Sequence, residues 1–433
     1  MSDHPDFTAE VFQNEYLPEG SKEVNAVVTV TAAGAASAGR PAEAAEVIVV
    51  DCSGSMSSPP TKIQAARQAT AAAIDTLRDG VLFAVVAGSH VATMAYPQDS
   101  RLVPATAQTR GDAKAAVARL RPGGGTAIGQ WLSLARALLS PHADAIRHAI
   151  LLTDGKDEHE QPDQLRAALG ECAGIFTCDC RGVGTDWVVS ELRAISSALL
   201  GTVDIVADPQ GLEADFRAMA EAAMGKAVAD IALRVWTPRD ATVRFVKQVV
   251  PAVEDLTAMR IPVSPQVGDY PTGAWGDESR DYHICVDVPA AAVGDEMLAA
   301  RVTVTLPGTD GTAQSLAQGL VRAVWTDDME LSTRINPSVA HYTGQAELAQ
   351  VIQEGLEARK SGDLDTATAR LGRAVALAAD SGNEAVADLL GRVVDVVDPA
   401  TGTVRLKARV DDADEMALDT RSTKTVRVGK SAR

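Results

Sequence analysis

The chain has 433 residues, enough for two to four domains with a sizeable core. Hydrophobic residues at 46% and charged ones at 23% are ordinary for a soluble globular protein. A formal net charge of −18 argues against a nucleic-acid-binding surface, which would need a basic stripe.

The chain opens Met-Ser-Asp-His-Pro-Asp, with neither the basic region nor the apolar run of a secretory leader. Five cysteines, an odd number without framework spacing, point to a reducing cytoplasm. The stretch 80–98 lacks Asp, Glu, Lys and Arg, but it alternates like a hairpin and is not expected to span a membrane. Residues 7–32 look extended, with a clear strand at 24–30, and a small-residue linker follows at 32–41. Next, Val47-Ile48-Val49-Val50 reads as a strand buried on both faces, as in a parallel sheet covered by helices. It runs into Asp51, Ser53 and Ser55. Ligands of open α/β sheets bind at the carboxyl ends of strands, so these oxygens stand where such a fold keeps its site. An oxygen-only set of low charge suits a hard divalent cation; the plain alternative is a Ser/Gly-rich turn.

Two further pieces bear on that choice. Residues 122–126, Pro-Gly-Gly-Gly-Thr, form a loop ending in Thr126 ahead of a helical stretch, and a second buried strand at 149–153 ends on Asp154. Together these pieces resemble the von Willebrand factor A domain, whose metal-ion-dependent adhesion site reads Asp-x-Ser-x-Ser, a loop Thr and a strand-end Asp. The resemblance covers about 185 residues. It implies a doubly wound, mostly parallel α/β sheet over 42–225 and a metal set of Asp51, Ser53, Ser55, Thr126 and Asp154. Ser53, Ser55 and Thr126 would ligate directly, with Asp51 and Asp154 acting through water or completing the shell. The implied ion is Mg²⁺ or Mn²⁺ ahead of Ca²⁺, with a partner protein's Asp or Glu carboxylate finishing its coordination. Cys52 is expected to point into the core, and the charged loop 156–160 to be solvated or to rim the binding face. Cys172, Cys178 and Cys180 read as core thiols rather than a zinc site, because no fourth ligand lies near in sequence.

Within 42–225, helices are expected at 61–77, 109–120, 127–139, 164–172, 187–199 and 211–224. Strands are expected at 81–87, 91–96, 175–183 and 203–206. Residues 226–325 carry recurrent strands broken by prolines and read as a β-sandwich within a 226–330 domain. The strand in 1–41 needs a partner sheet, so it is assigned to that sandwich, with the α/β domain inserted between. Residues 331–400 read as a helical hairpin or bundle with helices around Leu348, Leu371 and 385–397. Ser361-Gly362-Asp363 makes a turn of tetratricopeptide type, but a single copy favours the bundle. Residues 401–433 are expected to be a disordered tail: 411–419 hold five acids and no base, 420–433 five bases and no acid. That tail is either a solvated end or a kinase substrate at Thr423 or Thr425. Each of these has a Val three residues on, at Val426 and Val428, resembling ligands of forkhead-associated domains.

The function expected is a non-enzymatic, metal-dependent protein-recognition module serving as a bacterial cytoplasmic scaffold or adaptor. Its partner is expected to be a forkhead-associated-domain protein, a kinase or an ATPase. Two alternatives stand beside it: a Mg²⁺-dependent phosphotransferase or hydrolase, and a structural scaffold whose metal site is unused. A haloacid-dehalogenase-like phosphatase would need an Asp where Ser53 stands, and neither a phosphate-binding Gly-x-x-x-x-Gly-Lys loop nor a Gly-x-Ser-x-Gly elbow is present.

Overall fold

The computed structural model describes residues 4–34, 42–308 and 312–427. Residues 35–41 of the expected linker, and 428–433 of the expected tail with Val428, lie outside the described residues. Two compact units emerge. The first comprises residues 42–229 and 273–276, and the second takes 5–34, 230–272 and the described residues from 277 onward.

The chain begins with β1 (Asp6–Gln13), β2 (Tyr16–Pro18) and β3 (Glu23–Ala33). The first unit then alternates strand and helix. It runs β4 (Ala44–Asp51), α1 (Thr61–Thr76), β5 (Leu82–Gly88), β6 (Ala92–Tyr96), β7 (Val103–Pro104) and α2 (Ala107–Val117). It continues α3 (Ile128–Leu139), β8 (Ile146–Thr153), α4 (Pro162–Cys172), β9 (Thr177–Val183), α5 (Val189–Ala198), β10 (Val203–Val206) and α6 (Leu212–Met224). The sheet order is β10-β9-β8-β4-β5-β6, with β7 beside β5. Every pairing is parallel except those of β6 and β7 with β5, so this is the expected α/β sheet with an antiparallel edge. β4 lies between β5 and β8 with all eight residues buried, which is why its centre, residues 47–50, is continuously apolar rather than alternating. Ala-rich α1 packs on this sheet, with Ile63, Ala66, Ala69, Ala73 and Ile74 in one core with Ile48, Val50, Phe83 and Phe216.

The second unit adds β11 (Val228–Trp236), β12 (Thr242–Val250), β13 (Glu254–Asp255), β14 (Ile261–Ser264), β15 (Val267–Trp275), β16 (Glu278–Asp287), β17 (Glu296–Pro307) and β18 (Ala313–Thr326). These form two sheets, β1-β3-β16-β12-β13 and β14-β15-β11-β17-β18-β2. β3 pairs with β16 from Ala32↔Glu278 to Glu23↔Asp287. β1 lies against β18, where a Cβ on Gly319 would come within 2.5 Å of Val11.

The helical part comprises α7 (Met329–Ser332), α8 (Pro337–Ser361), α9 (Leu364–Ser381) and α10 (Glu384–Val393). Gly362 and Gly382 end α8 and α9 in the left-handed conformation, and Asp363 and Asn383 cap the next helices. The Ser-Gly-Asp turn therefore has a second copy, Ser381-Gly382-Asn383, in which Asn replaces Asp as the cap. Val339 and Tyr342 of α8 bury against Val27, Val249 and Val250.

Two expectations require correction. The third helix does not reach residue 397, because the Val-rich run Val394–Asp398 is β19, paired with β20 (Thr403–Leu406). Nor is 401–427 disordered. Asp411 caps α11 (Asp412–Arg421) by accepting from the Ala413 N–H at 2.9 Å, and Asp412, Asp414 and Glu415 fill its first turn. Acids at the N-terminus and Arg421 in the last turn complement the helix dipole. The blocked charges are thus a helix signal, not a disorder signal. Ala417 and Leu418 are buried, while Glu415 and Asp419 pair with Arg359 and Lys360 of α8. Beyond α11 the chain pairs with the segment after β12: the Val253 N–H donates to the Thr423 carbonyl at 2.8 Å, and Lys424 bridges Ala252.

Candidate functional site

The site stands at the carboxyl ends of β4 and β8, where the two buried strands deliver Asp51 and Asp154. Both carboxylates have no exposed surface. Asp51 Oδ1 accepts the Ser53 N–H at 2.7 Å, and its Oδ2 accepts the Thr153 hydroxyl at 2.6 Å. Burial pushes the Asp51 pKa up, its hydrogen bonds pull it down, and the neighbouring Asp154 charge adds to the rise. Ser53 Oγ and Ser55 Oγ lie 2.9 Å apart, and Ser55 Oγ donates to Asp154 Oδ1 at 2.6 Å. A Cβ on Gly155 would lie 3.4 Å from Ser55 Oγ and 3.6 Å from Thr126 Oγ1, so the Thr126 hydroxyl borders the same small space. The structure thus brings Asp51, Ser53, Ser55 and Asp154 into one hydrogen-bonded chain, with Thr126 facing it.

The glycine loop is shaped by what surrounds it. Gly123 donates its N–H to the Cys52 carbonyl at 2.7 Å, and the Gly124 carbonyl accepts the Gly54 N–H at 2.9 Å, so the loop is stitched to the turn after β4. Gly124 has φ +79°, and a Cβ on Gly125 would fall 1.8 Å from the His159 ring. His159 in turn brackets Thr126: its N–H donates to the Thr126 carbonyl at 3.0 Å, and its Nδ1 accepts the Thr126 N–H at 3.3 Å.

Loop 156–160 is therefore not merely a solvated rim. Its Glu160 carboxylate accepts the N–H groups of Gly129 and Gln130 at 2.7 and 3.0 Å, and Asp157 accepts that of Ile128 at 3.3 Å. These acids satisfy the open N-terminus of α3, which has no cap of its own. Burial and the nearby Glu160 raise the Asp157 pKa to about 7. Cys52 is buried in the α1-side core, and burial lifts its thiol to about 12, which leaves it inert. Cys172, Cys178 and Cys180 are likewise buried free thiols.

Sequence reasoning missed Lys62. Its Nζ lies 2.7 Å from Asp154 Oδ2 and 3.2 Å from Asp186 Oδ2. Burial alone would lower the Lys62 pKa, but the hydrogen bonds and charges of Asp154 and Asp186 outweigh it and raise it. A signal existed: Lys62, Ala65, Ala66 and Ala69 form one buried stripe of α1, an unusual place for a lysine.

The donor chemistry suits a hard divalent ion. It combines two carboxylates with three hydroxyls and no nitrogen or sulfur, and the Asp154 oxygen that faces Ser55 is not the one Lys62 holds. Among the described residues no cluster of three or more His, Cys, Asp or Glu side chains could hold a metal elsewhere. No helix among them is long and apolar enough to cross a membrane. The two threonines of the tail differ in setting. The Thr425 hydroxyl donates to the Val249 and Pro251 carbonyls, so a phosphate there requires the segment to let go, whereas Thr423 is held through its backbone carbonyl.

Comparison with known proteins bears on the fold. Residues 47–156 match the von Willebrand factor type A domain, and residues 376–422 match the von Willebrand factor type A C-terminal domain. A solved structure, the von Willebrand factor type A protein from Catenulispora acidiphila, is 55% identical over 98% of both chains, with a TM-score of 0.94. The ArnB paralog VWA2 from Sulfolobus acidocaldarius shares the fold at 13% identity, covering 97% of this chain and 98% of its own, with a TM-score of 0.60. The uncharacterized protein sll0103 from Synechocystis is 29% identical over 218 residues, 48% of this chain and 49% of that one. The chain thus spans about half the length of that curated relative. Domains of this kind commonly bind a divalent metal at their adhesion site and often use it in protein interaction. On the strength of a relative matched from end to end, the chain belongs to the von Willebrand factor type A family.

Proposed function

We propose that this protein recognises a partner protein through a divalent cation, Mg²⁺ or Mn²⁺, held by Asp51, Ser53, Ser55, Thr126 and Asp154. The observation that carries the reading is the chain from Asp51 through Ser53 and Ser55 to Asp154, with the Thr126 hydroxyl beside it. When bound, the cation supplies a Lewis-acidic position that neutral hydroxyls leave short of negative charge. The protein's part is to orient the hydroxyls: Asp51 fixes the Ser53 backbone, Asp154 fixes Ser55, and His159 fixes Thr126. A partner's Asp or Glu then supplies the missing anion. Recognition is favoured over phosphoryl transfer because Ser53 stands where a haloacid-dehalogenase-like phosphatase would place its second Asp, the general acid. An intracellular scaffold is the proposed setting, in keeping with five buried free cysteines.

Pull-down from native lysate with Mg²⁺ or Mn²⁺, with and without chelator, tests the reading. Capture should need the metal and should be lost in Asp51→Ala and Thr126→Ala proteins that still fold. Partner binding indifferent to chelator and to both substitutions would sink it. A phosphatase or ATPase activity abolished by Asp51→Asn would replace it with the catalytic alternative.

A further inference from the structure

Among the described residues Lys62 is the only buried lysine, and its ammonium lies against a carboxylate of the metal set. Asp51 and Asp154, both fully buried, bring two negative charges to the site, and Lys62 returns one positive charge. Asp186, the other partner of Lys62, has a side chain 72% exposed, so water screens most of its contribution. With a dication in place the buried set carries one net positive charge; without Lys62 it would be neutral. Buried charges are weakly screened, so that surplus acts on whatever coordinates next.

Resting on the proposed metal reading, we infer that Lys62 is a positioning and charge-setting residue that weakens the grip on the cation and heightens its demand for an incoming carboxylate. Metal and partner carboxylate then bind cooperatively, and the metal-loaded site rejects neutral ligands. The geometry divides Asp154 accordingly. Oδ2 is held by Lys62 while Oδ1 stays turned toward Ser55 and the metal space. Lys62 also ties α1 to the loop after β9 through Asp186, so charge-setting must be separated from simple bracing.

Mn²⁺ titration followed by electron paramagnetic resonance separates the two, in chloride and in sodium acetate of equal ionic strength. The proteins compared are wild type, Lys62→Met, Lys62→Gln, Lys62→Arg and Asp51→Ala, each checked for folding by circular dichroism. In chloride, Lys62→Met and Lys62→Gln should bind Mn²⁺ about tenfold more tightly than wild type. Acetate should tighten Mn²⁺ binding severalfold in wild type and much less in these two variants. Lys62→Arg should move both readings back toward wild type. Equal or weaker Mn²⁺ binding by the folded Met or Gln variant, with acetate acting as in wild type, overturns the Lys62 inference and leaves the metal site standing. Absence of Mn²⁺ binding by wild type, or undiminished binding by Asp51→Ala, overturns the metal reading and this inference with it.

Discussion

Replacing His148 with Gln tests a charged cluster buried in the same three strands, β4, β8 and β9, near their amino ends. His148 Nδ1 lies 2.9 Å from both Glu46 oxygens, and its Nε2 lies 3.1 Å from Asp179 Oδ2. Burial opposes the imidazolium, but the Glu46 charge and the Asp179 hydrogen bond outweigh it and lift its pKa from 6.5 to about 10. Asp179 responds in kind: burial raises its pKa, yet His148, Arg181 and Thr202 together hold it below the ordinary carboxylate range. Because the folded pKa of His148 is the higher one, its proton-linked stabilisation is complete below pH ~6.5 and is lost as pH rises through ~10. At ~1.4 kcal/mol per unit the full shift corresponds to roughly 5 kcal/mol, most of it still present at pH 7 and only about 1 left at pH 9. Removing one member of a buried ion pair costs about 3–5 kcal/mol, so the two routes to a magnitude agree. Hydrogen exchange of the β4, β8 and β9 amides at pH 6.5 and 9.5 reads this directly, undisturbed by the second unit. The variant should open these strands about 3–5 kcal/mol more easily at the lower pH and by about 1 kcal/mol at the higher. A penalty below about 1 kcal/mol at pH 6.5, or one that does not shrink with pH, refutes the reasoning.

Three further outcomes are expected from the packing. Gly125→Val should drive the His159 ring off Thr126, cutting Mn²⁺ affinity at least tenfold in a titration while β4 stays protected from exchange. Leu371→Ala, at a fully buried position of α9, should destabilise the second unit by about 2–5 kcal/mol in urea unfolding. Thr425→Val removes a donor to the Val249 and Pro251 carbonyls and should cost about 1 kcal/mol, seen as faster exchange at Val253.

The α/β sheet was legible because β4 and β8 are buried on both faces, which forces runs such as Val-Ile-Val-Val and Ala-Ile-Leu-Leu. Asp51, Ser53 and Ser55 stood out because polar oxygens follow such a run directly, and Asp154 stood out for the same reason. Lys62 gave only half a signal: its place in one stripe of α1 with Ala65, Ala66 and Ala69 is unusual for a lysine, but its partners lie 92 and 124 residues away and nothing local names them. Loop 156–160 was misjudged because its acids serve the N-terminus of α3, about thirty residues upstream. The tail was misjudged for a different reason. A one-sided charge block looks the same whether water solvates it or a helix dipole does, and only the buried Ala417 and Leu418 decide between them.

The pairing of β3 with β16 has a consequence for how the molecule is made. Val24 and its partner Val286 are separated by the whole α/β unit, and a ribosome adding roughly 5–20 residues each second needs on the order of 13–50 seconds to supply the second after the first. Through that interval the apolar residues of β3 have emerged without the neighbour that will cover one edge. The α/β sheet and its helices from β4 to α6 are one unbroken stretch and can fold meanwhile, with only residues 273–276 of that unit still to come. A chain truncated after α6 should accordingly hold the α/β sheet folded but for residues 273–276, with an amino-terminal ribbon still open to chaperones.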